Sequence, residues 1–100
     1  MTIETVNNNG KITFKLDGWL DTLSSPQLEQ EIIKIEKADL IVLDFDKVEY
    51  ISSSGLRQVV SCHRKAKELN AEFEVINVGT ETMSIFKLTA LDKKIKITEK

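Results

Sequence analysis

The sequence predicts an α/β fold: a mixed, largely parallel sheet of four or five strands, covered by helices and opening with an antiparallel hairpin. Three observations predict it. After the turn signal Asn7-Asn8-Asn9-Gly10, the apolar residues Ile12, Phe14 and Leu16 alternate with polar ones, the period of a half-buried strand. Leu40-Ile41-Val42-Leu43 is a short continuous apolar run, which suits a strand buried on both faces. Between and after these, segments of helical spacing alternate with strand-like ones, in the order β-β-α-β-α-β-α-β. Such alternation calls for parallel strands with helical crossovers.

The elements follow in order. Thr2–Val6 alternates weakly and forms a first strand, joined through the Asn/Gly turn to the second. Gly18–Leu23 leaves that strand. Ser24 or Ser25 caps a helix whose first position takes Pro26, where a missing N–H costs nothing. Leu28, Ile32 and Ile35 form its apolar stripe. Leu40–Leu43 is the next strand and Asp44–Ile51 a loop. A second helix runs from about Ser54 to Leu69, with Leu56, Val59, Cys62, His63, Ala66 and Leu69 on one side. Phe73–Val78 is a strand. Thr80–Leu88 is a third helix with Met83, Phe86 and Leu88 inward, and Ile95 and Ile97 mark a last strand.

One hundred residues, 41% apolar and 30% charged, suit one compact domain, expected over residues 1–100. No apolar run approaches the ~20 residues that span a bilayer, so no direct membrane insertion is expected. The start MTIETVNNNG lacks the basic-then-apolar pattern of a secretory signal. The one cysteine, Cys62, cannot form an internal disulfide, and a cytoplasmic location is the expectation. Charge is uneven: residues 1–50 carry 5 Lys and 10 Asp/Glu, residues 51–100 carry 9 Lys/Arg and 6 Asp/Glu. A nucleic-acid partner is not expected, because the aromatics are few and the basic Lys93, Lys94 and Lys96 read as a solvated strand end.

The informative segment runs from Asp44 to Arg57 and enters a helix through Ser52-Ser53-Ser54-Gly55. Loops at the C-terminal ends of parallel strands commonly carry function. One serine there caps free backbone N–H groups, worth ~1 kcal/mol. A cap does not require three serines and a glycine.

These residues resemble the STAS family, in particular its free-standing anti-sigma factor antagonists. That family has a strand ending in Asp and then a pattern close to Asp-Ser-Ser-Gly-Leu opening a helix. Leu40–Asp44 and Ser52-Ser53-Ser54-Gly55-Leu56 match the two parts. Upstream, Leu16-Asp17-Gly18-Trp19-Leu20-Asp21 resembles the family's Gly-x-Leu-Asp segment. Downstream, Phe73–Val78 and Leu88–Asp92 resemble its fourth strand and third helix end. The match covers almost the whole chain in the same element order.

The resemblance implies partner switching. The serine after the motif Asp is the phosphorylation site of the family, and that position is Ser53. The unphosphorylated domain binds an anti-sigma factor serine kinase and frees a sigma factor; a PP2C-type phosphatase resets it. Where the family has the motif Asp, this chain has Ser52, which leaves Ser54 and Ser52 as fallback acceptors. The implied partner-binding residues are Asp21, Ser52, Ser53, Ser54, Gly55 and Arg57. A different role open to the family is a non-switching subunit of a lipid-transport ABC complex or a stress-signalling assembly.

A phosphoserine adds about −1.5 to −2 charges. A helix N-terminus tolerates that charge through its free N–H groups and dipole. Asp21, Asp44 and Asp46 on the same rim would concentrate negative charge against a partner. Asp21 also reads as a loop residue accepting backbone hydrogen bonds, and Asp44 as the structural close of its strand. Arg57 either meets the partner's acids or is an ordinary exposed helix arginine. Trp19, the sole tryptophan, either anchors a partner or packs against the domain.

An enzyme is not expected, nor a cofactor. A nucleophile elbow needs glycine two residues before the serine, and Ser53 has Ile51 there. The only histidine, His63, lies ten residues further along the same helix, roughly 15 Å away at 1.5 Å per residue. It reads as a hydrogen-bonded packing residue. Cys62 and His63 on adjacent positions cannot share one metal, and no phosphate-binding glycine motif occurs.

Overall fold

The computed structural model describes residues 1–100. Strands β1 (Thr2–Asn8) and β2 (Lys11–Leu20) form the hairpin, followed by helix α1 (Ser25–Ile33). Then come β3 (Leu40–Ile51), α2 (Ser53–Glu68), β4 (Glu72–Val78), α3 (Thr80–Leu88) and β5 (Lys96–Glu99), with a short 3-10 turn at Leu91–Lys93 before the last strand. The strands form one sheet in the order β1-β2-β3-β4-β5. Only β1 and β2 pair antiparallel; the other three pairings are parallel. The hairpin turn is built as its composition requires, with Asn9 at φ 52° and Gly10 at φ 92°.

The three helices share one face of the sheet. Ile12, Phe14 and Leu16 of β2, Ile41, Leu43 and Phe45 of β3, and Phe73 and Val75 of β4 point into a single core. There they meet Leu28 and Ile32 of α1, Val59, Cys62 and Ala66 of α2, and Met83 and Phe86 of α3. Burying one such large apolar side chain contributes ~1.5–3 kcal/mol. The other face carries Thr13, Lys15, Asp44, Glu74 and Lys96, the opposite parity of the same strands.

The structure corrects the expected element ends. Asp44–Ile51 is not a loop: β3 continues to Ile51 because β2 continues beside it to Leu20. Asp17, Gly18, Trp19 and Leu20 pair with Lys47, Val48, Tyr50 and Ile51, across register shifts after Lys15 and Gly18. Those irregularities break the period of two, which hides a long strand from pattern reading. Leu88 is not inward; it is 86% exposed at the end of α3. Neither Ser24 nor Ser25 caps α1 through its side chain, since both hydroxyls bind the preceding turn instead.

The serine rim at the ends of β2 and β3

The extended pair β2–β3 decides where the serines lie. Leu20 and Ile51 are register partners, both buried, and the Ser52 N–H donates to the Leu20 carbonyl oxygen at 3.0 Å. The loop after β2 and the start of α2 are thereby held at one end of the sheet. Ser52 is the N-cap of α2, in extended conformation (φ −96°, ψ 177°). Its Oγ accepts from the Gly55 N–H at 3.2 Å, which satisfies one of the free donors of the first turn.

The two following serines differ. Ser54 Oγ lies 3.0 Å from Thr22 Oγ1 and accepts from Arg57 Nη2 at 3.3 Å. Ser53, the first residue of α2, is exposed and its hydroxyl has no hydrogen-bond partner. Gly55 is buried; a Cβ there would collide with the Leu20 carbonyl oxygen and stand 2.8 Å from Ile51 Cγ1. The glycine lets α2 begin in contact with the strand ends, so it supports the rim and offers a partner no surface of its own.

Asp21 sits on the same rim, one residue before Thr22. Its Oδ1 accepts from the backbone N–H groups of Leu23 and Ser24, each at 3.1 Å. The Ser24 backbone bond is the main cause that holds this carboxyl below its ordinary pKa. The backbone-bonding reading of Asp21 therefore holds, and the carboxylate stays ionised at the rim. Asp44 and Asp46 do not belong to it. They lie mid-strand on the open face: Asp44 accepts from the Asp46 N–H and from Asn77 Nδ2, and Lys100 approaches Asp46 Oδ1 at 3.6 Å. Seven residue steps along extended chain lead from Asp46 to Ser53, roughly 23 Å at 3.3 Å each.

Trp19 does not pack into the domain. It is 56% exposed and lies against Tyr50, itself 48% exposed, with ring centroids 5.2 Å apart. Tyr50, Thr22 and Leu23 were not legible as rim residues. Tyr50 joins the rim only because β3 runs on, and Thr22 only because its loop folds toward Ser54.

His63 serves no part of this site. It packs beside Phe73 at 5.6 Å, ring contact taking the place of the expected hydrogen bond, and burial followed by Lys67 lowers its pKa. Cys62 is buried, and desolvation pushes its thiol up to about 12. No group of three His, Cys, Asp or Glu could hold a metal ion. No helix is long and apolar enough to cross a membrane.

Comparison with known proteins agrees with this geometry. The family model for the STAS domain matches residues 2–100. The chain belongs to the STAS family. Among STAS relatives it is similar to BtrV of Bordetella bronchiseptica, named as a candidate anti-sigma factor antagonist. The two are 25% identical over 83 residues, covering 81% of this chain and 72% of BtrV. The crystal structure of an anti-sigma factor antagonist from Mycobacterium paratuberculosis superposes with a TM-score of 0.88 at 26% identity, covering 99% of this chain and 86% of that one. The Bacillus cell fate determinant SpoIIAA in its phosphorylated form shares the fold, with a TM-score of 0.77 at 16% identity, covering 96% of this chain and 90% of that one. This STAS chain thus has the fold and the overall likeness of anti-sigma factor antagonists.

Proposed function

We propose that this STAS domain is a phosphorylation-switched binding module. In its unphosphorylated form it binds an anti-sigma factor serine kinase and so releases a sigma factor. Phosphorylation of Ser53 ends that binding, and a PP2C-type phosphatase restores it. The domain performs no chemistry of its own; ATP and catalysis belong to the kinase.

The observation that carries this reading is the unequal engagement of the three serines. Ser52 Oγ is occupied as the cap and Ser54 Oγ by Thr22 and Arg57, whereas the exposed Ser53 hydroxyl is unengaged. A kinase must reach a hydroxyl and turn it into its own active site, and an exposed, unbonded one costs least to move. Replacement of the family's motif Asp by Ser52 leaves the helix start intact, since serine and aspartate both cap well. Phosphate on Ser53 sits at the first turn of a 16-residue helix, where the free N–H groups and the dipole accept it. A partner docked on the same rim meets that charge beside ionised Asp21. Electrostatic mismatch of ~1.4 kcal/mol already weakens binding about tenfold.

The likeness to BtrV and to the Mycobacterium antagonist supports the partner class, and SpoIIAA is a STAS-fold protein solved in a phosphorylated form. The test incubates the purified chain with single purified anti-sigma factor serine kinases and ATP, then maps phosphate by fragment mass spectrometry. Modification of Ser53 and its loss in Ser53→Ala are expected. Modification at Ser54 or Ser52 instead, with Ser53→Ala unaffected, overturns the acceptor. No modification by any kinase overturns the switch and leaves the non-switching assembly subunit as the reading.

A further inference from the structure

Beside the serine rim lies an exposed apolar surface. Trp19 and Tyr50 are register partners at the last turns of β2 and β3, one step before the buried pair Leu20 and Ile51. The register shift after Gly18, itself at φ +116°, brings the tryptophan into line with Tyr50. Their rings are tilted at 52° and stand 5.2 Å apart, in mutual contact yet about half open to water. Leu23, 88% exposed, lines with Trp19, Met1, Asp21, Ser24 and Gln27 a shallow groove of about 380 Å³.

We infer that Trp19 and Tyr50, with Leu23 beside them, are the apolar anchor of the partner interface. They seat an aliphatic or aromatic side chain that the anti-sigma factor kinase presents next to its phosphorylation site. This rests on the partner-binding reading given above. Exposed aromatic clusters rimmed by polar groups mark interaction surfaces, and Trp and Tyr dominate binding energy where they become fully desolvated. The cluster is continuous with the rim along both strands: Trp19 leads to Asp21 and Thr22, and Tyr50 leads to Ser52 and Ser53. Trp19 and Tyr50 face away from the helices, so a partner that wraps the end of the sheet meets both Ser53 and the aromatics. Ionised Asp21 in the groove wall disfavours an acidic partner segment or an anionic lipid surface there. By contrast, exposed Leu88 lies toward the opposite end of the sheet, since α3 starts after the C-terminal end of β4 and runs back.

The division of labour is specific. The aromatic pair holds the partner, and Ser53 decides whether it stays. Trp19 is the only tryptophan of this chain, so with a kinase free of tryptophan its emission reports the contact directly. The experiment titrates the chain with each purified anti-sigma factor serine kinase, following fluorescence for the parent and calorimetry for Trp19→Ala, Tyr50→Phe, Tyr50→Ala and Leu88→Ala. Expected results are a blue shift on binding and at least a tenfold loss of affinity for Trp19→Ala and Tyr50→Ala. Tyr50→Phe keeps most of the affinity, Leu88→Ala stays within twofold of the parent, and all variants melt cooperatively. The KM for phosphorylation of Ser53 rises in the two alanine variants while kcat is kept. If a kinase binds the parent but binds Trp19→Ala and Tyr50→Ala equally well, the anchor is wrong and the switch reading stands. If no kinase binds the parent, both fall. A blue shift with phosphatidylglycerol vesicles, or one that follows concentration-dependent dimerisation of the chain alone, assigns the surface to a lipid or a second copy and overturns the proposal.

Discussion

Replacing Gly55 with alanine probes the contact on which the rim is built. A Cβ at this position collides with the Leu20 carbonyl oxygen, lies 2.8 Å from Ile51 Cγ1 and 3.0 Å from Leu20 Cγ. Two of these neighbours are buried side chains and the first is backbone in a paired strand, so none can step aside freely. Overpacking of this kind costs ~1–3 kcal/mol, and relief by sliding α2 outward stretches the 3.0 Å bond from Ser52 N–H to the same Leu20 oxygen. Alanine gains back up to ~1 kcal/mol of helix propensity. The middle of that cost less the gain leaves a net destabilisation of ~1 kcal/mol, which in a domain of this size lowers Tm by roughly 4–8 °C. Differential scanning calorimetry of Gly55→Ala against the parent measures it. A variant that melts at or above the parent temperature refutes the claim that the glycine is required by close approach, because helix propensity would then be the larger effect.

Two further predictions test the rim's local chemistry. Ser52→Ala removes the cap on Gly55 N–H and lowers stability by ~1 kcal/mol in thermal melts, whereas phosphate mapping still finds Ser53; unchanged stability would refute the cap. Asp21 has a folded-state pKa below its ordinary 3.8, so its contribution is fully present above that value and is lost as pH falls through the lower folded value. Melting curves between pH 5 and 2 should show this loss in the parent and a shallower one in Asp21→Asn, which keeps an acceptor but cannot titrate; identical pH dependence would contradict the assignment.

Most of the fold was legible because hydrophobic periodicity and turn chemistry agree along this chain. The Asn/Gly turn, Pro26 and the Leu40–Leu43 run place the starts of β2, α1 and β3 within a residue or two. The long ends of β2 and β3 were not legible. Paired with bulges and carrying an exposed aromatic before the last residue, Gly18–Leu20 and Asp44–Ile51 follow no clean alternation, and only tertiary pairing makes them strands. That single difference moved Asp44 and Asp46 off the rim and brought Tyr50 onto it. The serines were legible as a helix start, but their unequal engagement depends on Thr22 and Arg57, which meet Ser54 only in three dimensions. Asp21 carried two readings in the sequence, and both its turn bonds and its place on the rim are compatible with one carboxylate, since Oδ1 makes the turn.

The most direct test of the central claim compares one anti-sigma factor kinase binding to the chain with Ser53 unmodified and with Ser53 phosphorylated, alongside Ser53→Ala and Ser53→Asp. Calorimetry should show Ser53→Ala binding as the unmodified chain does, and should show at least tenfold weaker binding for Ser53→Asp and for the phosphorylated chain, equivalent to ~1.4 kcal/mol. All four forms should melt at similar temperatures, because a negative group at the start of α2 is favourable within the domain. Phosphorylated and unmodified chains binding within twofold of one another, with both fully folded, would contradict the account.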